Sequence, residues 1–154
     1  MKGIFSICMA ALFLLGGILG SATAEASAKA TPETNKKLVE SFWNEVFNQH
    51  NLAVIDTVVG DVYVQHSPSV ADGKQAFKAA MADYMKACPD SSAQIKHIAA
   101  DGDLVFIHNH IKLNAADPGQ AAVDIFRVEN GKIVEHWDII QDVPKTSANE
   151  NTMF

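Results

Sequence analysis

Apolar positions follow helical spacing in the first half of the chain and strand spacing in the second half. Between Leu38 and Val46 they recur at every fourth residue, with a second apolar row beside them, and this predicts an amphipathic helix over 32–49. The same periodicity predicts two further helices, over 51–59 and 72–87. A glycine-aspartate break separates those two helices and leaves room for a short strand over 62–65.

From residue 92 onward, apolar and polar residues alternate as in half-buried strands. Four strands are predicted, over 94–99, 104–113, 121–129 and 132–141. The strongest turn signal is Asn130-Gly131, because both central residues of a type I′ turn need positive φ. Helices followed by an antiparallel meander indicate an α+β fold, in which helices pack on a curved sheet whose concave face forms a pocket.

The hairpin turn also predicts which side chains share a face. Counting outward from the turn pairs Asp124 with Trp137, and Phe126 with Glu135. Because side chains alternate along a strand, these four residues are expected to face the pocket together. Two residues are expected on the opposite face, against a second sheet or a dimer partner: His136 and Asp138.

Asp124 is the leading candidate for chemistry, because a carboxylate is rarely buried in an apolar strand without a partner or a task. His108 and His110 lie two residues apart on one strand face, and His66 ends another strand, so all three imidazoles are expected at the same cavity. Carboxylate and imidazole together suit proton transfer at a carbon next to a carbonyl group. The candidate pocket walls are Trp137, Phe106, Phe126, Tyr63 and Phe42.

Simpler interpretations of the same residues stay open. Asp124 can be a structural carboxylate paired with a neighbouring imidazole or with the Trp137 N–H, and the strand histidines can be satisfied locally. A pocket of this kind can bind a hydrophobic ligand without transforming it. The histidines and Asp124 also permit a metal site, although their spacing matches no specific metal motif.

The first 24 residues have the features of a secretory signal peptide. Lys2 precedes an apolar run that ends in Ala22-Thr23-Ala24, so cleavage is expected after Ala24, followed by a linker over 25–31 and a single domain over 32–154. Cleavage removes one lysine and no acidic residue, which changes the formal charge from −6 to −7. An acidic secreted or periplasmic domain without a basic stripe argues against nucleic acid and anionic membranes as partners.

Several segments together resemble a known family: VYVQHSP, DGKQAF, IKHIAADGDLVFIHNH, VDIFRVENGKIVEHWDIIQDVP and the closing NENTMF. Over roughly residues 35–154 they are similar to the SnoaL-like polyketide cyclases, and more closely to predicted SnoaL-like aldol-condensation enzymes, within the NTF2-like superfamily. The resemblance implies a cone-shaped α+β barrel and commonly a homodimer through the outer face of the sheet. It also implies an enzyme that uses no cofactor.

The resemblance assigns roles to four residues. Asp124 matches the acid/base aspartate of the cyclase and His110 its assisting histidine, while His108 stands where the cyclase has glutamine. The related ketosteroid isomerases carry a similar IDxFR stretch, and their base aspartate precedes a proline near the place of His66. The implied function is an aldol cyclase or isomerase acting on a small hydrophobic carbonyl compound.

Overall fold

A computed structural model of the chain describes residues 30–154, so the predicted signal peptide and most of the predicted linker lie outside the described residues. The helices are α1 (Pro32–Trp43), continued by a π-helical turn (Asn44–Asn48), α2 (Ala53–Val58) and α3 (Lys74–Ala87). The strands are β1 (Val59–Gln65), β2 (Ser92–Asp101), β3 (Leu104–Lys112), β4 (Gln120–Glu129) and β5 (Lys132–Asp142). No helix in residues 30–154 is long and apolar enough to cross a membrane.

The predicted α+β class is confirmed. The five strands form one curved, open sheet in the order β1-β5-β4-β3-β2. The predicted meander of β2 to β5 is antiparallel throughout, whereas β1, for which no pairing was predicted, runs parallel to β5. A parallel neighbour needs a crossover, and α3 with the strands that follow it forms that connection.

The first helix begins and packs as its sequence indicates. The Thr31 side chain accepts a hydrogen bond from the Thr34 backbone N–H. The Thr34 hydroxyl oxygen in turn accepts one from the Thr31 backbone N–H, and the two bonds form a capping box. Trp43 on its inner side is 2 % exposed and donates its indole N–H to the Ala93 carbonyl at 2.9 Å. This bond joins α1 to the edge strand β2, so the helix covers one face of the sheet.

The predicted Asn130-Gly131 turn is confirmed, with φ of 51° and 71° at its two residues. The pairing beyond the turn is not as predicted. Glu129 pairs with Lys132 and Val128 with Ile133, but Arg127 pairs with Glu135, so Val134 has no partner on β4. Val134 is therefore the extra residue of a β-bulge.

The bulge reverses the faces of β5 relative to the prediction. Since side chains alternate, one extra residue moves every later side chain to the other face. Asp124 lies opposite Asp138 instead of Trp137, and Phe126 lies opposite His136 instead of Glu135. Gly60 in β1 leaves room for the side chain of the bulged residue. A Cβ at this position would lie only 3.0 Å from Val134 Cγ1.

Candidate active site

The face of the sheet covered by the helices encloses a cavity of about 220 Å³. Aromatic and aliphatic side chains from α1 and α3 form one wall, and the ends of β3 and β5 form the rim. Polar groups from β1, the loop after it, β4 and β5 line the remaining side. The lining residues are Trp43, Phe47, Gln65, Ser67, Ser69, Val70, Phe77, Met81, Tyr84, Ile111, Leu113, Gln120, Asp124, His136, Asp138 and Ile140.

Asp124 faces this cavity, as predicted, and it is 5 % exposed. Both of its carboxylate oxygens have protein partners. Oδ1 lies 2.9 Å from Nε2 of His136, and Oδ2 accepts a hydrogen bond of 2.6 Å from the side-chain amide of Asn109. A buried carboxylate needs such partners because water no longer solvates it.

The hydrogen bonds around His136 determine where its protons lie. The Gln65 side-chain oxygen accepts a hydrogen bond of 2.9 Å from the Ser67 backbone N–H, which identifies that atom as the oxygen. The same oxygen lies 2.9 Å from Nδ1 of His136, so Nδ1 carries a hydrogen and donates it. The Gln65 amide therefore selects the tautomer of the imidazole.

This tautomer requires one proton between His136 and Asp124. With Nδ1 protonated, the contact of Nε2 with Asp124 Oδ1 at 2.9 Å is favourable only if a proton lies between the two atoms. The pair is then an imidazolium and a carboxylate, or a neutral imidazole and a carboxylic acid. In both descriptions the Asp124–His136 pair is neutral overall and holds one proton at the floor of the cavity.

Two tyrosines, one beside the pair and one in the cavity wall, have raised pKa values. Burial raises the pKa of Tyr63, and the Asp124 and Asp138 carboxylates raise it further, while a hydrogen bond from Gln65 acts in the opposite direction. Burial likewise raises the pKa of Tyr84, which lines the cavity. The Tyr84 hydroxyl can thus serve as a neutral hydrogen-bond donor toward a bound compound.

A second carboxylate, Asp138, lines the same cavity. It lies directly across from Asp124 in the β4–β5 pairing, so the two side chains share one face. Its influence on the pKa of Tyr63 agrees with this position. The expectation that His136 and Asp138 lie on the opposite face was therefore wrong, because the bulge at Val134 turns both side chains inward.

The structure places His108 and His110 outside the cavity. Opposed residues on antiparallel strands share a face, and β3 pairs Ile107, not a histidine, with Asp124. His108 Nδ1 lies 3.1 Å from Nδ1 of His97, and His110 Nε2 donates to the Pro118 carbonyl at 2.8 Å. The prediction that these imidazoles share a cavity with Asp124 was wrong in its geometry.

His66 also lies on the outer face of the sheet. Its ring stacks on Trp137 with centroids 4.6 Å apart, and its Nε2 lies 2.9 Å from a Glu135 carboxylate oxygen. Phe106 and Trp137 line a separate outer groove, and neither reaches the cavity. These positions contradict the expected cavity locations of His66, Phe106, Trp137 and Glu135, since β3, β5 and the residue directly after β1 turn those side chains outward.

The other predicted wall residues are on the inner side but lie beneath the cavity surface. Phe126 is 2 % exposed and stacks on the His136 ring with centroids 4.8 Å apart. Phe42 is 1 % exposed and meets Phe126 edge-on. Tyr63 is 3 % exposed and receives a hydrogen bond from Gln65. These three residues support the site from the core.

Signals for the missed residues were present in the sequence. On β3, the alternate set of Val105, Ile107 and Asn109 is more apolar than the set with the two histidines, and it is the buried set. On β1, Gln65 is two residues after Tyr63, so an inward tyrosine implies an inward glutamine. His136 had no comparable signal, because its direction depends on the bulge.

The four residues considered for a metal site do not converge. Asp124 faces the cavity, whereas His66, His108 and His110 lie on the other face of the sheet. Within residues 30–154 there is no group of three or more histidine, cysteine, aspartate or glutamate side chains with the arrangement of a metal site.

Comparisons with known proteins agree with this architecture. A sequence model of the family described as SnoaL-like polyketide cyclase matches residues 37–147. Among curated proteins, none matches the chain. Similar solved structures include TsrD from Streptomyces laurentii, with 19 % identity, a TM-score of 0.61 and coverage of 73 % of this chain and 91 % of that one.

Two further solved structures have the same fold. An NTF2-like protein of unknown function from Mesorhizobium loti has 22 % identity and a TM-score of 0.60, covering 71 % of this chain and 93 % of its own. A candidate ketosteroid isomerase from Kribbella flavida has 13 % identity and a TM-score of 0.64, covering 77 % of this chain and 85 % of its own. At these identities the likeness shows the NTF2-like fold.

Proposed function

Because the chain belongs to the SnoaL-like polyketide cyclase family, we propose that it is an acid/base enzyme of the cyclase or isomerase type. It uses no cofactor and acts on a small hydrophobic carbonyl compound. The observation that carries this proposal is the Asp124–His136 pair, which holds one proton at the floor of an apolar cavity. A proton held at a water-poor site can be delivered to a substrate oxygen as charge develops there.

The size and lining of the cavity indicate the kind of substrate. Its volume of about 220 Å³ is below the roughly 300–1,000 Å³ of pockets for drug-sized ligands. The wall contains Trp43, Phe47 and Phe77, which offer flat apolar contacts. A carbonyl compound with one or two rings fits this space.

The test is exchange of the hydrogens on the carbon next to a ketone, since enolisation is the step common to aldol cyclases and isomerases. In D₂O, wild-type protein is expected to increase the rate at which deuterium enters 2-tetralone. This rate is measured by ¹H NMR. The Asp124→Asn substitution removes the carboxylate that shares a proton with His136. It should slow exchange by about 10²- to 10⁴-fold, the usual contribution of general acid–base catalysis. Full exchange activity in the folded variant would contradict the proposal.

A second candidate function is binding of a hydrophobic small molecule without turnover. This alternative is supported by the hydrogen bonds within the site, because His136 already bonds to both Asp124 and Gln65 without a ligand. In that case 2-tetralone binds in the cavity, and wild type and Asp124→Asn give the same exchange rate as buffer. Saturable binding without exchange across a panel of one- and two-ring ketones would establish it.

Two further parts of the proposal concern location and assembly. The signal-peptide pattern supports export, and intact mass of protein from its native compartment should correspond to a chain that begins at Glu25. The outer face of the sheet exposes Ile139 at 65 % and Val123 at 37 %, which supports a homodimer through that face. Ile139→Glu should then convert a dimer to a monomer in native mass spectrometry.

A further inference from the structure

We propose that Asp138 is the general base of the cavity and the carboxylate that contacts the bound compound, while the Asp124–His136 pair supplies the proton to the substrate oxygen. This assignment rests on the proposed acid/base function and divides it between two carboxylates. The sequence pattern made Asp124 the leading candidate for chemistry. In this assignment Asp138, and not Asp124, takes the proton from the reacting carbon.

Asp124 is poorly placed to accept a proton from a substrate. Its two oxygens already receive hydrogen bonds, from His136 at 2.9 Å and from Asn109 at 2.6 Å. It is also only 5 % exposed. A general base must come within about 2.6–3.2 Å of the atom whose proton it removes, and hydrogen bonds from two buried donors make a carboxylate a poorer proton acceptor.

Asp138 has the properties that Asp124 lacks. It lines the cavity and is partly exposed. Among residues 30–154 the side-chain hydrogen bonds and ion pairs include none to its carboxylate, whereas each oxygen of Asp124 has a protein partner. Cross-strand neighbours on one face have Cβ atoms about 4.5–5.5 Å apart, so a single small compound can contact Asp138 and the Asp124–His136 pair together.

The resulting step balances without any additional reactant. The Asp138 carboxylate takes a proton from the carbon next to the carbonyl, and the electrons of that C–H bond form the C=C bond. The carbonyl π electrons move to oxygen, which takes the proton held between His136 Nε2 and Asp124 Oδ1. Asp138, now a carboxylic acid, returns a proton to carbon, and the hydroxyl returns its proton to the pair.

The charges of the site also predict which ligands bind. The Asp124–His136 pair is neutral overall, so Asp138 leaves the polar side of the cavity with one negative charge. A neutral hydroxyl can donate to that carboxylate, whereas a ligand carboxylate is repelled by it. An aromatic alcohol, which resembles the enol of a bound ketone, should therefore bind better than the corresponding acid.

The first experiment measures catalysis. Deuterium exchange of 2-tetralone is followed for wild type, Asp138→Asn and the control Asp90→Asn, which makes the same change at an exposed residue. Asp138→Asn should slow exchange by about 10²- to 10⁴-fold, and Asp90→Asn should leave it unchanged. Thermal unfolding of each variant verifies folding. A folded Asp138→Asn protein that exchanges at the wild-type rate overturns the assignment.

The second experiment needs no turnover and therefore separates this assignment from the proposed function. Binding of 2-naphthol and of 2-naphthoate is measured by fluorescence. Wild type should prefer the alcohol by about tenfold or more, the ratio that about 1.4 kcal/mol produces, and Asp138→Asn should lose that preference. If wild type binds but does not exchange 2-tetralone, the catalytic proposal fails, while loss of preference still supports contact with Asp138. An equal preference for the alcohol in wild type and variant, or no preference in wild type, overturns the assignment of Asp138 as the carboxylate that contacts the ligand.

Discussion

The two faces of the sheet carry the same kinds of ionisable residues in opposite settings. On the inner face, His136 meets Asp124 at 2.9 Å, and their side chains are 10 % and 6 % exposed. On the outer face, His66 meets Glu135 at the same distance, with 41 % and 17 % exposure. A contact distance alone therefore does not distinguish a functional pair from a surface pair.

The difference lies in what surrounds each pair. The inner pair is held by Asn109 and Gln65 and borders a cavity, so its one proton has a defined position and a place for a ligand beside it. The outer pair shares Glu135 with Arg127 at 2.7 Å and faces solvent, where Coulomb interactions are weakened by water. Fixed partners and an adjacent cavity distinguish the inner pair from the outer pair.

The largest expected difference between the faces is in stability. Asp124→Ala leaves His136 and Asn109 buried without their acceptor and should lower the free energy of unfolding by about 3–5 kcal/mol. Glu135→Ala, which breaks the outer pair, should cost about 0–1 kcal/mol. Urea unfolding of both variants measures this. Equal losses would show that the two faces do not differ as described.

A smaller effect is expected from the residue that selects the tautomer. Gln65→Leu removes the acceptor of His136 Nδ1–H and of the Ser67 N–H, and should cost about 1–3 kcal/mol of stability. The control Gln94→Leu, at an exposed glutamine, should stay within about 0.5 kcal/mol.

The same variant has a spectroscopic consequence. ¹⁵N NMR of wild type should show a hydrogen on His136 Nδ1, and that signal should change in Gln65→Leu but not in Gln94→Leu. An unchanged His136 spectrum in Gln65→Leu would mean that Gln65 does not select the tautomer.

The outer histidines should have little influence on the chemistry. His108→Ala and His110→Ala are expected to leave ketone exchange at the wild-type rate, because both side chains lie on the face away from the cavity. Each variant loses one hydrogen bond, so its free energy of unfolding should fall by about 0.5–1.5 kcal/mol. Loss of exchange in either variant would restore the roles that the family resemblance implies for these residues.

The smallest effect is a pH dependence of the outer face. Hydrogen bonds from His66 and then Arg127 lower the pKa of Glu135 from its ordinary value of 4.5. Because the folded-state pKa is depressed, this stabilisation is complete above 4.5 and is lost as pH falls through the lower folded value. Glu135→Gln should therefore flatten the decline of the melting temperature between about pH 5 and about pH 3. An identical decline in both proteins would contradict this.

Local pattern was enough to predict the elements. The fourfold spacing of apolar residues predicted α1, and the Asn130-Gly131 dipeptide predicted the final turn, because helix periodicity and positive φ are properties of neighbouring residues. The inward position of Asp124 was also predicted correctly, since it shares a strand face with Phe126, which is buried. The family resemblance was confirmed by the match over 37–147.

Register could not be predicted in the same way. The loop between β3 and β4 is held by Asp117, whose side chain accepts hydrogen bonds from the backbone N–H groups of Leu113 and Gly119. The length of this loop in the sequence does not show which residue of β3 lies opposite Asp124, so the positions of His108 and His110 could not be counted from it. The β4–β5 turn was known, yet one unpaired residue at Val134 reversed every face beyond it. These two errors account for the histidines assigned to the wrong face.

The sequence by itself therefore determined the order of helices and strands, the hairpin turn, the family and the inward carboxylate at Asp124. Only the tertiary structure decided that His136 and Asp138, and not His110 and His66, share the cavity with it. The physical reason is that periodicity is set within a segment, whereas register and bulges are set by packing between segments. Val134 lies against Gly60 of a strand more than seventy residues earlier in the chain, and that contact is not visible in either segment alone.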